Sequence, residues 1–276
     1  MLRPQTIQQR AMATAGSASS ILLRWGGILL LMGPIFLVVW LSFGGDEYTT
    51  VPPSSYSLRW YENIFIQPEF VPAFWVSMKL AAIVTPTSLL LGTLAAFAMR
   101  RYPIPGVSAL EAMFYSPIMV PLVVTGIALL FFYNLIGFTA NFWNVTIGHI
   151  IITFPYVIRT VSVALARYDP ALDEAASSLG ARPWQVFYRV TLPLIRPGLF
   201  AGALFAFTMS FDDFTVTIFL IGTDTHTLPV AIYQYMEWNV DSTVAAVSAL
   251  LVGLSVALML IIERFVGLDR FIGVRG

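Results

Sequence analysis

The chain has 276 residues, of which 58% are hydrophobic and only 11% are charged, and its mean hydropathy is +0.79. Soluble domains carry about 25% charged residues, so this composition indicates an integral membrane protein that buries most of its surface in lipid. The net charge of zero gives no support to a nucleic-acid partner, and the absence of cysteine excludes disulfides, thiolate metal sites and cysteine nucleophiles.

Six apolar segments are long enough to cross a membrane, since a helix needs about 20 such residues to span the hydrocarbon core. The sequence therefore predicts an all-α integral membrane protein with six transmembrane helices. The predicted spans are residues 25–43, 74–99, 109–133, 147–166, 197–220 and 244–262. They form a single transmembrane domain at 25–265, between an N-terminal segment at 1–24 and a tail at 266–276. The first span is interpreted as a retained anchor, because no small-residue cleavage site follows it.

Basic residues are distributed unevenly between the two sides of these spans. They occur before span one, after spans two and six, at the end of span four (Arg159) and between spans four and five, and the cytoplasmic side of a membrane protein collects Lys and Arg. Thirteen of the fifteen basic residues fall on this side, and the exceptions are Arg59 and Lys79. We therefore predict that both termini and the loop at 167–196 are cytoplasmic.

The loop between spans four and five contains a polar stretch, DEAASSLGARPWQVFYRVTLPLIRPG. Asp169 followed by Pro170 predicts the start of a helix, and Gly180 predicts its end, because the residue after a helix is often a left-handed glycine. Pro183 can open a second short helix, and Pro193 and Pro197 are expected to interrupt the chain before span five. The result is a helix–turn–helix hairpin. Local physics leaves two interpretations open, a docking surface for a protein or a solvated amphipathic hairpin.

The same stretch resembles the cytoplasmic loop signature of the permease subunits of ATP-binding-cassette importers, which is Glu-Ala-Ala, three residues, Gly, nine residues, Ile, one residue, Leu-Pro. The matching positions are Glu174, Ala175, Ala176, Gly180, Leu192 and Pro193, with Val190 at the isoleucine position. The resemblance implies that this hairpin is a coupling helix, which sits in a cleft of a separate ATPase subunit and transmits its closure to the membrane helices.

That family resemblance also implies a location and a set of partners. The location is the bacterial inner membrane, where the chain is a multi-pass protein in the lipid bilayer. The partners are an ATPase subunit dimer, a second permease subunit that is a different but homologous chain, and an extracellular or periplasmic solute-binding protein.

Three further segments are similar to the spermidine/putrescine branch of this family. They are SLRWYENIF at 57–65, SFDDFTVTIFL at 210–220 and TLPVAIY at 227–233. The resemblance implies ATP-driven import of a small organic cation, most simply a polyamine. Permeases for other organic amines, phosphonates, thiamine and iron have similar segments and stay as alternatives. No Walker A sequence occurs, so ATP hydrolysis is expected of a separate subunit, and this chain is expected to be a permease rather than an enzyme, without a cofactor.

Two adjacent acids, Asp212 and Asp213, lie within predicted span five. They are roughly 22–24 Å along that helix from its start, in the outer half of the bilayer. Adjacent residues of a helix diverge by about 100°, so we expect one acid to face the substrate pathway and the other to face an interhelical partner such as Lys79. The sequence does not decide which acid does which. Tyr233 and Trp238 are further candidates for the outer mouth of the pathway.

Two other classes of membrane protein are weighed against the permease. An ion-coupled secondary transporter is favoured by inverted repeats with broken helices at matching positions of two halves, which the sequence does not show. An intramembrane enzyme needs a nucleophile–base pair or a set of metal ligands. His149 and His226 are the two histidines, and their separation along the chain gives no metal-ligand pattern, so we expect no metal.

Overall fold

The computed structural model describes residues 7–138, 141–222 and 225–266, and the regular structure in these ranges is helical, apart from one β-bridge between Gly44 and Tyr56. The helices are α1 (Ile7–Leu41), α2 (Arg59–Ile66), α3 (Phe70–Arg101), α4 (Val107–Met119), α5 (Leu122–Leu135), α6 (Phe142–Ala166), α7 (Ala171–Ser178), α8 (Pro183–Val186), α9 (Leu192–Leu194), α10 (Arg196–Asp212), α11 (Thr217–Leu220), α12 (Leu228–Trp238) and α13 (Thr243–Val266), with a π-helical turn at Phe187–Thr191. The prediction of an all-α protein is confirmed for the described residues.

The chain divides into two compact units. The first contains the chain up to Ile66 together with Asn239–Gly253, and the second contains Gln67–Trp238 together with the residues from Leu254 onward. In the first unit, the 19 residues Leu23–Leu41 of α1 form an apolar stretch of which none is buried. An exposed helix of this length and composition is suited to contact with lipid.

The first unit is held together by polar contacts between its loops and helix ends. The Nδ2 of Asn63, in α2, donates to Thr243 Oγ1 at 2.9 Å, at the start of α13. The hydroxyls of Thr49 and Ser242 lie 3.2 Å apart. Asp46 accepts hydrogen bonds from the hydroxyl of Ser54 and from that of Thr50, the latter at 2.7 Å, and these bonds lower its pKa to about 2. The loop is therefore closed by its own side chains.

The second unit is built on three helices, α3, α6 and α10, each of which packs against the other two. Small residues on α10 allow this close approach. Gly198, Gly202, Ala206 and Ser210 follow one another at intervals of four and are all buried. A Cβ atom on Gly198 would lie 2.8 Å from the carbonyl oxygen of Thr160 in α6, so the two backbones are in contact there. This is the small-residue packing that membrane helices use.

Predicted spans two and four are confirmed as single helices, α3 and α6, that are long and apolar enough to cross a membrane. Predicted span three is wrong as a single helix, because α4 and α5 meet at a bend of 105°. The break falls at Val120, whose backbone is extended (ψ 133°) before Pro121. A residue that precedes proline is driven out of the helical region, and Pro121 has no N–H to donate to a helical carbonyl.

Predicted spans one and six correspond to α1 and α13. Among the described residues, three helices qualify as spans, and five segments qualify if each bent pair is one span. The apolar stretch Thr243–Leu258 of α13 is shorter than these. The count of six therefore stays a prediction, and the predicted tail at 266–276 lies outside the described residues except for its first position.

Candidate functional site

A helical hairpin occupies residues 169–194, as predicted. Its first helix, α7, starts where Asp169 Oδ1 accepts the backbone N–H of Ala171 at 2.9 Å. It ends where the N–H groups of Gly180 and Ala181 donate to carbonyls of the last helical turn at 2.9 and 3.1 Å, the hydrogen bonds of a Schellman motif. Gly180 has a φ of +84°, so the prediction that glycine ends this helix is confirmed.

The second arm of the hairpin starts at Pro183 and continues further than the sequence predicted. Its first turn is capped by Gln185, whose Oε1 accepts the backbone N–H of Arg182 at 2.8 Å. Pro193 does not interrupt the chain, because the π-helical turn before it widens the helix where the proline ring would clash with a carbonyl. The predicted break before span five is present as a bend of 70° at Ile195, two residues before Pro197.

The hairpin is fixed to the end of α3 by Asp173, whose side chain is buried. Arg101 Nη1 lies 2.7 Å from Asp173 Oδ2, and Thr191 Oγ1 donates to Asp173 Oδ1 at 3.4 Å. The Tyr168 hydroxyl also donates to Asp173, and burial together with this bond raises the pKa of Tyr168 to about 12. The phenol therefore stays a donor at physiological pH. Sequence reasoning missed Asp173, for which the only signal was an acid beside Glu174.

The residues of the coupling signature differ in exposure. Glu174, Ala175 and Gly180 are exposed, while Ala176, Leu192 and Pro193 are half-buried. The two groups have different contacts, since Leu192 packs against the buried cluster that α3 and α6 share. Exposed members of the signature are thus available to a partner, and Leu192 connects the hairpin to the helices.

The hairpin also exposes large apolar side chains next to these residues. Leu179, at the end of α7, is 90% exposed, and Trp184 and Tyr188 on the second arm are 56% and 61% exposed. A groove of about 400 Å³ passes between Ala176 and Val190. Apolar surface of this kind on a polar loop marks a protein contact more often than a solvated hairpin.

Asp213 ends the helix that was predicted to continue to residue 220. The helical residues of α10 stop at Asp212, and Asp213 has an extended backbone with ψ 119°. Its Oδ2 accepts the backbone N–H groups of Val216 and Thr217 at 3.0 and 2.9 Å. An aspartate that satisfies backbone donors of the next turn competes with helix continuation, which is the physical reason for the shorter helix.

The buried partner of Asp213 is His149 of α6, and the expectation that Lys79 plays this part is wrong. His149 Nε2 lies 3.5 Å from Asp213 Oδ2 and 2.8 Å from Thr217 Oγ1, while Nδ1 lies 3.0 Å from Ser210 Oγ. The ammonium of Lys79 lies instead over the ring of Phe142, 5.1 Å from its centroid. Residues more than 60 positions apart form this cluster, so no local pattern could reveal it.

Asp212 is exposed, in contrast to Asp213. It follows Ala201, Phe205 and Thr208 along one face of α10, at intervals of three or four residues, and this face is separate from the buried small-residue face. On the same face, the ring of Phe205 stacks on the ring of Tyr156 from α6, with the centroids 6.1 Å apart. The structure therefore separates the two acids into one buried and paired residue and one exposed residue.

A groove of about 470 Å³ lies between α6 and α10 at the end nearest the hairpin. Its walls are mostly apolar and include the stacked pair Tyr156 and Phe205 and the glycine at 198. Arg159 and Arg167 of α6 also line it, and both side chains are exposed. The groove was not foreseen from the sequence.

The other two pathway candidates, Tyr233 and Trp238, lie on α12. The Tyr233 ring packs on Phe214 with a centroid distance of 4.8 Å, and Trp238 is 86% exposed. Their role at the outer mouth stays a prediction. Within the part of the chain that the structure describes, no three His, Cys, Asp or Glu side chains come together as a metal site.

The sequence of residues 88–267 matches a family model, described as the binding-protein-dependent transport system inner membrane component. The chain belongs to this family. It is thus an inner-membrane permease subunit of an importer rather than an enzyme, and the hairpin and α10 both lie within the matched residues.

Two relatives of this permease transport polyamines, by their names. It is 30% identical to the spermidine/putrescine transport system permease protein PotC of Haemophilus influenzae, over 83% of this chain and 88% of that protein. It is 31% identical to the putrescine transport system permease protein PotI of Escherichia coli, over 83% of this chain and 86% of that protein. A third relative is the putative 2-aminoethylphosphonate transport system permease protein PhnV of Salmonella paratyphi A. It is 27% identical, over 91% of this chain and 94% of that protein.

Solved structures support the fold. A bacterial ABC transporter involved in the import of the acidic polysaccharide alginate aligns with a TM-score of 0.73 at 15% identity, over 98% of this chain and 100% of the other. The MetNI methionine ABC transporter aligns with a TM-score of 0.58 at 22% identity, over 71% of this chain and 94% of the other. The identities are low, so these likenesses establish the architecture alone.

Proposed function

We propose that this permease translocates a polyamine such as spermidine or putrescine. A solute-binding protein outside the membrane delivers the substrate, a second homologous permease completes the pathway, and an ATPase dimer supplies the energy. The observation that supports the substrate class is Asp212, an exposed carboxylate at the end of α10 on the same face as an aromatic pair. Relatives named as polyamine permeases, about 30% identical over most of their length, agree with it.

The exposure of Asp212 supports it as the carboxylate that contacts a cationic substrate. An ionised carboxylate that faces lipid costs several kcal/mol, so acids at membrane depth usually face a water-filled pathway or a partner subunit. Asp213 already has His149 as its partner, whereas Asp212 is exposed. A polyamine that loses hydration water in the pathway can regain a charge contact at Asp212, and the faces of Phe205 and Tyr156 can attract its ammonium groups.

In this proposal the hairpin is the coupling helix. Glu174, Leu179 and Trp184 are exposed and can enter a cleft of the ATPase. Asp173 fixes the same hairpin to Arg101 at the end of α3. Since α3 packs against α6 and α10, a displacement of the hairpin is transmitted to the helices that carry the pathway.

The orientation belongs to the same proposal. Six spans form one transmembrane domain at 25–265, the segment 1–24 and the tail 266–276 are cytoplasmic, and the hairpin is on the cytoplasmic side. The support is the positive-inside distribution of Lys and Arg.

Uptake by reconstituted transporter tests this function. Proteoliposomes would contain both permeases and the ATPase, with the binding protein added outside and ATP trapped inside. We expect labelled spermidine or putrescine to accumulate only with hydrolysable ATP. Accumulation without ATP that follows an imposed ion gradient would instead identify a secondary transporter, and uptake of neither polyamine would reject the substrate class.

A second substrate class has one observation in its favour. Arg159 and Arg167 line the same groove as the aromatic pair Tyr156 and Phe205. Guanidinium groups bind phosphonates well. A zwitterion such as 2-aminoethylphosphonate, transported by one relative according to its name, could use both an acid and an arginine. Competition between this compound and a polyamine in the same uptake experiment separates the two classes.

A further inference from the structure

Charges of opposite sign lie toward the two ends of one face of the α6–α10 pair. On α10 this face carries Phe205 and Asp212, the last helical residue. On α6 it carries Tyr156 and Arg159, which border the same groove as Phe205. The stacked rings of Tyr156 and Phe205 join the two helices between the charges. The acid is thus at the end away from the hairpin, and the arginine is on the hairpin side.

Arg159 lies too far inside the helix to be an ordinary interfacial arginine. It precedes the last residue of α6, Ala166, by seven positions, or about 10 Å along the helix axis. A guanidinium at this depth is expensive on a lipid-facing surface, and such residues face a pathway or a partner. The same argument holds for Asp212, so both charges indicate that this face is turned away from lipid.

The lining of the groove around Arg159 carries positive charge. Its lining is apolar apart from two arginines, one tyrosine and one threonine, and none of the lining residues is acidic. Charges act over longer distances between apolar walls than in water. Arg167, two turns further toward the hairpin, adds a charge of the same sign.

We propose that Arg159 is a cation barrier at the hairpin end of the translocation pathway. This rests on the proposed function, because it takes the pathway to follow this face of α6 and α10. A cation that has passed the aromatic pair is repelled by Arg159 while the groove is narrow. When the groove opens to the cytoplasm, water and salt screen the guanidinium, the substrate leaves, and its return is disfavoured. Small inorganic cations are excluded by the same charge.

The size of the barrier follows from Coulomb's law. Two unit charges about 8 Å apart in a medium of effective dielectric constant near 20 repel each other enough to lower occupancy roughly 30-fold. The effect on anions has the opposite sign. A charge barrier therefore changes the ratio of cation to anion permeability, whereas loosened packing would raise both permeabilities.

The test measures rubidium and chloride fluxes through the assembled transporter in proteoliposomes during ATP turnover. We expect Arg159→Gln to raise the rubidium flux about 10- to 30-fold over wild type without raising the chloride flux. Arg159→Lys keeps the charge and should behave as wild type. Arg24→Gln removes an arginine of α1 that is not part of the groove lining, and it should also leave both fluxes unchanged.

Three results would overturn the barrier. The first is an unchanged rubidium flux in Arg159→Gln, and the second is an equal rise of rubidium and chloride. The third is loss of assembly in Arg159→Lys as well as Arg159→Gln, which would make the residue structural. The proposed function is judged separately: if Asp212→Asn transports polyamines normally, the substrate assignment fails, while the flux ratio of Arg159→Gln still decides on the barrier.

Discussion

Arg101 Nη1 lies 2.7 Å from Asp173 Oδ2, and this ion pair joins the end of α3 to the first turn of the hairpin. The Asp173 side chain is 3% exposed and that of Arg101 is 40% exposed. Water can therefore solvate the arginine if the pair is broken, but it cannot solvate the buried carboxylate. Removing the partner of a buried charge is costly because the remaining charge cannot return to water. The pair therefore fixes the position from which the hairpin can act on α3.

The first prediction follows from this asymmetry. Arg101→Gln leaves the Asp173 carboxylate buried without its cation, and we expect it to destabilise the hairpin by about 1–3 kcal/mol and to lower uptake per ATP hydrolysed. Arg100→Gln removes the neighbouring, exposed charge and is the matched control, with uptake near wild type. The double variant Arg101→Gln/Asp173→Asn should lose less than the sum of its single variants. Additive losses would show that the two side chains act independently.

A second prediction concerns the turn of the hairpin. Gly180 has φ +84°, and a Cβ atom there would meet no other atom within 4 Å. The cost of a substitution is therefore backbone strain alone, about 1–2 kcal/mol. We expect Gly180→Val to abolish coupling of ATP hydrolysis to uptake while the protein still inserts into the membrane. Gly180→Asn, which tolerates the left-handed region, is the control and should retain most uptake.

Glu174→Lys tests the same hairpin without touching its backbone. The side chain is exposed, so reversing its charge should not alter folding but should disturb the contact with the ATPase. We expect loss of stimulated ATP hydrolysis and of uptake at normal protein levels. Wild-type rates in both Glu174→Lys and Gly180→Val would mean that the hairpin is not the coupling element.

How far the sequence predicts the structure depends on whether the signal is local. The limits of α7 follow from Asp169 and Gly180, because capping and left-handed backbone are properties of neighbouring residues. The break between α4 and α5 was missed although its cause, Pro121, is visible. Counting apolar residues over the 25 residues of this span hides the proline, whereas in the folded chain Val120 is extended before Pro121, which has no N–H for a helical hydrogen bond.

The candidate site shows the opposite case. That Asp213 pairs with His149 depends on how α10 packs against α6, and that packing depends on glycines whose neighbours are known only in the folded chain. Sequence spacing correctly predicted that the two acids point in different directions. It could not predict which of them is buried and which is exposed. Asp213 caps α11, which turns its carboxylate into the protein and leaves Asp212 exposed, and on this basis we propose Asp212 as the acid of the pathway.

The buried cluster gives a prediction about stability. His149 is fully buried and contacts Ser210, Thr217 and Asp213. His149→Ala removes one polar contact from each of these residues and leaves a cavity, and we expect a loss of about 2–4 kcal/mol in the free energy of unfolding. Thermal unfolding of the purified protein in detergent measures it. An unchanged melting temperature would contradict the buried pairing.

The close packing of α10 against α6 gives a second prediction about stability. Gly198→Ala would place a Cβ atom 2.8 Å from the Thr160 carbonyl oxygen and 2.6 Å from Ala164 Cβ, so the helices must separate. We expect a loss of about 1–3 kcal/mol. Gly253→Ala in α13 makes the same change where no atom lies within 4 Å, and it should be neutral or slightly stabilising. Equal melting temperatures for the two variants would show that the helices are not in contact at Gly198.

The last prediction concerns cation recognition by Asp212. Asp212→Asn keeps the shape of the side chain but removes its charge, and losing a partly desolvated charge contact should slow polyamine transport roughly 10- to 150-fold. Glu111→Gln, on α4, is the control and should transport normally. Asp213→Asn should lower stability more than transport per folded molecule, because Asp213 caps α11 and contacts His149. The measurement is the initial rate of ATP-dependent polyamine uptake, normalised to assembled transporter. A wild-type rate for Asp212→Asn would remove the main structural support for a cationic substrate and turn attention to the binding protein as the source of specificity.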